Sequence, residues 1–154
     1  MGNNSLGLTR DQLIPGVWDQ DLDEHPEKEF IFISKVGYIC EIKRSWDWTY
    51  CGYVYLPKNH PFYEKTCDEI ENLIKVHGGL TFGDSKGVFG FDCSHKLAGD
   101  ISPGDKTMEQ KNPELFPLLK SLIFEEPHYW TWKEVKKEIE DMANQFKRYE
   151  RMNI

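Results

Sequence analysis

The chain has 154 residues, with 26 acidic and 19 basic side chains that give a formal net charge of −7 at neutral pH. This length fits one domain with a single hydrophobic core, and the acidic balance argues against a nonspecific nucleic-acid binder, which requires a basic surface. Four cysteines without a C-x-x-C spacing and a polar amino-terminal segment lead us to expect reduced thiols and a cytoplasmic protein. No apolar run approaches the roughly 20 residues of a membrane span, so we expect no membrane partner.

The amino-terminal segment, residues 1–29, is polar and is interrupted by Pro15 and Pro26. Proline removes a backbone donor and fixes φ, so this composition predicts an irregular arm rather than a regular element. Trp18 is the large apolar side chain of the segment, and we expect it to dock the arm onto the domain.

Three strands are predicted downstream of the arm. Residues 29–42 predict one or two strands, because they begin with a β-rich run and residues 38–43 alternate between apolar and polar side chains. Residues 46–56 predict a third strand, in which Gly52 indicates either a bulge or a close backbone contact. In a strand starting at residue 46, one face would carry Trp46, Trp48 and Tyr50.

A helix is predicted to start at the capping box Thr66-Cys67-Asp68-Glu69, where the threonine and glutamate side chains satisfy free amides reciprocally. Glycines 78 and 79 are predicted to end this helix. Its apolar face would be formed by residues at helical spacing, namely Ile70, Leu73, Ile74 and His77.

The next segments predict a hairpin followed by a long loop. Residues 80–82 and 88–91 read as strands joined by the glycine-containing turn 83–87. Residues 96–112 are polar and contain glycine and proline, which favours a loop. Asn112-Pro113-Glu114 indicates the start of a short helix, because proline fits the first helical turn.

The last helix is predicted most firmly. Thr131-Trp132-Lys133-Glu134 forms a second capping box, and one apolar stripe follows it at helical spacing. The order of strands, helix, hairpin and helices predicts a single α+β domain over residues 1–154, with a mainly antiparallel sheet packed by helices on one face. The stripe consists of Trp132, Val135, Ile139, Met142, Ala143 and Phe146.

Polar side chains gather at the end of the predicted helix and just after the second hairpin strand. His77 closes the helix, and Asp92, Ser94 and His95 follow the strand. Ends of strands commonly carry binding residues, so we predict a ligand-binding pocket where these two segments meet, with Thr81 assisting. The structural alternatives are a histidine at a helix carboxyl end and an aspartate bonded to nearby amides.

The aromatic segment offers a stacking surface beside this pocket. Trp48 or Tyr53 would stack on the ring of a nucleotide-like ligand, as aromatic side chains do on bases. The structural alternative is a ladder of aromatic side chains packed between strands.

A hydrolase is a second hypothesis. His77 or His95 would act as the base, and Asp92 would orient it. A thiol nucleophile at Cys93 would take its histidine from elsewhere in the fold, for example His60. The structural alternative is that Cys93 is a small buried apolar side chain.

Metal and phosphate motifs give little support to a cofactor. His77, Asp92, His95 and Asp100 carry ligand types that suit zinc, manganese or iron, but no HxH, HExxH or HxxxH spacing is present. Neither GxxxxGK[ST] nor GxGxxG occurs, so no nucleotide fingerprint is met. We therefore expect no cofactor.

Three strings carry a resemblance: CGYVYLPKNHP at 51–61, HGGLTF at 77–82 and GFDCSH at 90–95. They resemble a pattern in uncharacterised small proteins of phages and prophages. The resemblance covers about residues 46–100 and the final helix. It implies no established activity, but it does imply an accessory role in the host cytosol, such as countering a host defence.

The leading hypothesis is therefore a binding module for a small polar ligand, for example a nucleotide-like one, with sequestration of a host signal as one use. The second is the hydrolase, with or without a metal. The third is an acidic inhibitor that binds a host protein and has no pocket chemistry. A homo-oligomer is compatible with all three.

Overall fold

The computed structural model describes residues 7–111, 113–114 and 126–152. They form a single α+β domain with a five-stranded, fully antiparallel sheet in the order β1-β2-β3-β5-β4, as predicted. A short parallel pair, β6 and β7, lies outside this sheet. The strands are β1 (Glu29–Ile33), β2 (Ile39–Arg44), β3 (Tyr50–Tyr55), β4 (Phe82–Gly83), β5 (Val88–Asp92), β6 (Asp100–Ile101) and β7 (His128–Tyr129), and the helices are α1 (Asp19–Glu24), α2 (Cys67–Ile70), α3 (Asp105–Lys111) and α4 (Trp132–Met152).

Helix α4 packs on one face of the sheet and closes the core. Its capping box is formed as predicted, because Thr131 Oγ1 accepts from the Glu134 amide at 3.2 Å and Glu134 Oε1 accepts from the Thr131 amide at 3.0 Å. The apolar stripe that follows is buried against the inner-facing side chains of β2, β3 and β5. The fully buried stripe residues are Val135, Ile139, Met142, Ala143 and Phe146.

Gly52 is a point of close approach between the sheet and α4. It pairs in regular register with Ile42 on β2 and Phe91 on β5, so β3 has no bulge there. A Cβ at this position would lie 2.6 Å from a Phe91 ring carbon and 2.7 Å from Ile139 Cγ1. Of the two sequence interpretations of Gly52, the close contact is confirmed.

Gly52→Ala is expected to destabilise the protein by about 1–3 kcal/mol, because overpacking displaces the Phe91 and Ile139 side chains. Chemical unfolding followed by circular dichroism measures the change. Gly7→Ala is the matched control, because a Cβ there would meet its nearest neighbour at an ordinary 3.8 Å. Equal stability of the two variants would contradict this account of Gly52.

The third strand is shorter than predicted. It starts at Tyr50, and residues 45–49 form the turn of the β2–β3 hairpin, closed by a hydrogen bond of 2.8 Å from the Ser45 amide to the Thr49 carbonyl. Trp48 takes a positive φ of 67° in this turn. Trp46, Trp48 and Tyr50 therefore do not share one strand face, and that prediction is wrong.

Two further segments differ from their predictions. Helix α2 is capped by Thr66 as predicted but ends at Ile70, so His77 lies in a turn segment and does not close a helix. Residues 96–112 were predicted as loop, but the segment holds a 3-10 turn at 96–98, β6 and α3. Within the segment Lys96 Nζ binds Asp105 at 2.9 Å, and Thr107 Oγ1 donates to the Gln12 carbonyl in the amino-terminal arm at 2.7 Å.

The amino-terminal arm is also more regular than predicted, since it contains a 3-10 turn at 10–12 and helix α1. Trp18 is buried and docks the arm as expected, with its indole donating to the Ile14 carbonyl at 3.0 Å. The helix predicted from Asn112-Pro113-Glu114 falls largely outside the described residues. No helix of the described ranges is long and apolar enough to cross a bilayer.

A buried polar cluster fastens the arm to the sheet. Asp21 on α1 accepts hydrogen bonds from Arg44 Nη2 at 3.3 Å, Tyr50 at 3.0 Å and Tyr129 at 2.6 Å. The backbone amide of Trp132, at the start of α4, donates to the same carboxylate at 3.2 Å. The Arg44 side chain is fully buried, so this ion pair is shielded from solvent.

Candidate functional site

The structure brings five of the seven predicted site residues together. Thr81 Oγ1 donates to Asp92 Oδ2 at 2.9 Å, and Asp92 Oδ1 accepts from the Ser94 amide at 3.0 Å. His95 Nε2 lies 3.6 Å from Asp92 Oδ1, and the rings of His95 and His77 meet edge to face at 5.3 Å. The segment ending at residue 79 and the end of β5 thus meet, as predicted.

His77 is fixed by a buried carboxylate that the sequence analysis considered only as a metal ligand. His77 Nε2 lies 2.7 Å from Asp100 Oδ2, the same oxygen accepts from the His95 amide at 2.9 Å, and the Asp100 side chain is 2% exposed. Burial opposes ionisation of Asp100, but the hydrogen bonds from His77 and from the His95 amide outweigh it, so its pKa lies below the ordinary value. The ionised carboxylate only accepts, so His77 carries its proton on Nε2.

Asp100→Asn is expected to destabilise the protein at pH 7 by about 1–3 kcal/mol, because the variant loses charge-assisted hydrogen bonds to His77 and to the His95 amide. The folded pKa of Asp100 is depressed. Its contribution is therefore present above the unfolded pKa and is lost as the pH falls below about 4. Urea unfolding at pH 7 and at pH 3 measures both values.

The stability gap between the wild type and Asp100→Asn should narrow at the lower pH. Asp11→Asn is the control, because Asp11 is exposed. A gap that persists unchanged at pH 3 would show that the ionised carboxylate is not the source of the effect.

Gly78 explains how His95 is held. It has a positive φ of 69°, and a Cβ on it would lie 1.9 Å from His95 Nε2. The imidazole therefore packs directly against this backbone, and only glycine leaves room for it. His95 Nε2 is buried and finds no hydrogen-bond partner among the described residues.

A cleft of about 520 Å³ opens between the β2–β3 turn and the end of β5. Trp46 and Asp47 come from the turn, and Asp92 and His95 come from the strand end. His77 and Thr81 do not line the cleft. His77 contacts the His95 ring, and Thr81 donates to Asp92. The complete lining is Ser45, Trp46, Asp47, Thr49, Cys51, Asp92, Ser94 and His95.

The aromatic side chain at this cleft is not one of the two predicted. Trp48 is buried, its indole donates to the Leu8 carbonyl at 2.9 Å, and it is unavailable for stacking. Tyr53 points to the sheet face opposite α4, against Phe82 at 5.6 Å, and does not line the cleft. Trp46 is 51% exposed and does line it.

The sequence contains a signal that residues 45–49, which carry Trp46, form a turn rather than part of a strand. Asp47 Oδ1 accepts from Ser45 Oγ at 2.7 Å and from the Thr49 amide at 3.2 Å. Such side-chain bonds to the local chain are typical of aspartate and serine in turns. The Ser-Trp-Asp-Trp-Thr string therefore indicated a turn, which would have separated Trp46 from Trp48.

Thr49 lines the cleft, and its hydroxyl is buried and unsatisfied. The residue is 3% exposed, and its Oγ1 has no hydrogen-bond partner among the described residues. A buried polar atom without a partner is uncommon and costs free energy. This oxygen is shielded from solvent, so it is not a hydrogen-bonding group on the cleft surface.

The cysteines near the cleft are protonated thiols and not thiolate nucleophiles. Burial, and then the nearby carboxylates, raise the pKa of Cys93 far above neutrality, and burial raises that of Cys51 to about 11. His60, suggested as a histidine partner, is buried elsewhere. Its Nδ1 accepts from the Phe62 amide at 2.9 Å, and its Nε2 donates to the Phe146 carbonyl at 2.7 Å.

The side chains considered as metal ligands are those of His77, Asp92, His95 and Asp100. Within the described ranges, no three histidine, cysteine, aspartate or glutamate side chains come together in a way that could hold a metal ion. His77 and Asp100 instead bind each other.

Neither a family model, nor any curated protein, nor any solved structure matches the chain. Function is therefore inferred from the geometry of the site itself.

Proposed function

We propose that the protein binds a small, planar, polar ligand without a phosphate group, such as a nucleoside, in the cleft between Trp46 and Asp92. The observation that carries the proposal is the composition of the cleft walls. An exposed indole and two carboxylates line it, and such a combination of one ring and a few polar groups is typical of small-molecule sites.

Stacking on Trp46 supports a planar ligand. The indole is half exposed although large apolar side chains gain free energy from burial. A base stacked on it would gain about 1–3 kcal/mol. The Asp47 and Asp92 carboxylates, which line the same cleft, then offer hydrogen-bond acceptors for N–H or O–H groups of the ligand.

The charges of the cleft support a ligand without phosphate. Asp47 and Asp92 both line it, and lysine and arginine are absent from its lining. Two carboxylates repel a phosphate group at short range. Of the nucleotide-like ligands expected from the sequence, a nucleoside without phosphate therefore fits the cleft best.

The biological use is part of the proposal. The motif resemblance implies a phage-type accessory role in the host cytosol. The acidic lining disfavours sequestration of a phosphate-rich signal, so a neutral metabolite is the better candidate for the ligand.

Adenosine and cytidine are expected to bind, and their 5′-monophosphates are expected to bind more weakly. Trp46→Ala should weaken nucleoside binding by about tenfold to a hundredfold, because it removes the stacking surface. Thr49→Val should leave binding unchanged and stability unchanged or higher, because it removes a buried, unpaired hydroxyl that is shielded from the cleft. Isothermal titration calorimetry and thermal unfolding measure these effects.

Phe82→Ala is the matched control, because Phe82 is an exposed ring on the sheet face outside the cleft. Asp92→Asn should narrow the difference between nucleoside and monophosphate. The proposal fails if neither nucleoside binds, or if Trp46→Ala and Phe82→Ala bind equally well.

A hydrolase is the second candidate, favoured by the His77–Asp100 pair. Asp100 holds the proton on Nε2, so Nδ1 is the basic nitrogen of the neutral ring, and it makes no hydrogen bond to the described residues. The Trp130 ring packs against the imidazole at a centroid distance of 4.3 Å, tilted by 35°. Nδ1 would take a proton from a water whose oxygen attacks an acyl carbon, and return that proton to the leaving group.

This candidate predicts hydrolysis of uncharged acyl substrates, such as p-nitrophenyl acetate and p-nitroacetanilide. His77→Gln should lower the rate by about a hundredfold or more, and Asp100→Asn should shift its pH profile. His128→Gln is the control, because His128 is an exposed histidine bonded to Glu134. No hydrolysis of either substrate, or equal rates for both histidine variants, would exclude this role.

A further inference from the structure

Strand β1 forms one edge of the five-stranded sheet. Hydrogen bonds from the Arg44 amide to the Lys28 carbonyl and from the Ser34 amide to the Tyr38 carbonyl show that even-numbered residues of this strand bond to β2. In an antiparallel ladder the alternate residues direct their amides and carbonyls away from that neighbour. The backbone groups of Glu29, Ile31 and Ile33 therefore point outward from the sheet.

The edge carries apolar side chains where a free edge is ordinarily protected. Ile31 is 66% exposed and Ile33 is 71% exposed. The strand has the sequence EFIFI, without the proline or lysine that natural proteins place on edges to prevent pairing. It runs in regular register with β2 over all five residues, so no bulge turns it away.

The charges at the two ends of the strand are complementary under a two-fold rotation. Glu27 precedes the strand and Lys35 follows it, both are exposed, and neither has an ion-pair partner among the described residues. An antiparallel pair centred on Ile31 would place Glu27 opposite Lys35 of a second copy. The same rotation would form this ion pair twice.

We propose that the protein forms a symmetric dimer in which β1 pairs antiparallel with β1 of a second copy, centred on Ile31. The outward amides and carbonyls of the strand would then be satisfied, and the two sheets would become one of ten strands. A two-fold interface uses the same patch on both copies, as this edge does. Strands β2 and β3 separate β1 from β5, so the cleft beside Asp92 stays open.

Sedimentation velocity over a roughly hundredfold range of concentration tests the dimer. The wild type should pass from monomer to dimer within that range. Ile31→Pro should remain monomeric, because proline removes an outward amide that does not serve the pairing with β2. Ile39→Lys is the control, because Ile39 is exposed on the neighbouring, non-edge strand.

Charge reversal provides a test that does not depend on the folding of the proline variant. Glu27→Lys alone and Lys35→Glu alone should each weaken the dimer by about twofold to tenfold, and the double variant should restore it.

Amide hydrogen exchange adds a local measurement. The amides of Glu29, Ile31 and Ile33 should exchange more slowly in concentrated than in dilute samples.

The proposal is overturned if the wild type stays monomeric, or if the single charge reversals have no effect or are not rescued in the double variant. It is also overturned if Ile39→Lys abolishes the dimer while Ile31→Pro, shown to be folded by circular dichroism, does not. That result would indicate association through the sheet face instead of the edge.

Discussion

The buried ion pair between Asp21 and Arg44 is the constraint on which the rest of the structure depends. A charge removed from water is costly unless it is paired and fully hydrogen-bonded. Asp21 meets this requirement by accepting from the hydroxyls of Tyr50 and Tyr129 and from the Trp132 amide as well as from Arg44. One carboxylate thereby joins the amino-terminal arm, both strands of a hairpin, β7 and the start of α4.

The same pair determines the shape of the candidate cleft. Arg44 Nη1 donates to the Trp48 carbonyl at 2.7 Å, and the Trp48 indole donates to the Leu8 carbonyl. These bonds hold the Trp48 side chain in the protein interior. Trp46, two residues earlier in the same turn, is left on the surface beside Asp47. The exposed ring of the cleft is thus a consequence of how its neighbour is buried.

The sequence predicted the elements whose signals are local. Helix α4 has a capping box and a long apolar stripe, and the Thr66 cap depends on residues only three apart, so both are encoded by nearby side chains. The ends of elements were less predictable. The strand predicted from Trp46 starts at Tyr50, because local hydrogen bonds among Ser45, Asp47 and Thr49 form a turn. The helix predicted to reach His77 stops at Ile70, and the amides of Lys75 and His77 donate to side chains of α4 instead.

The sequence by itself determined the α+β class, the final helix, and the polar character of the segments that carry His77, Asp92 and His95. Only the tertiary structure decided that Asp100 binds His77, that Gly78 packs against His95, and that Trp46 rather than Trp48 faces the cleft. The physical reason is that hydrophobic periodicity reports which face of an element is buried, whereas the partner of a buried charge or ring is selected by packing between segments that are distant in sequence.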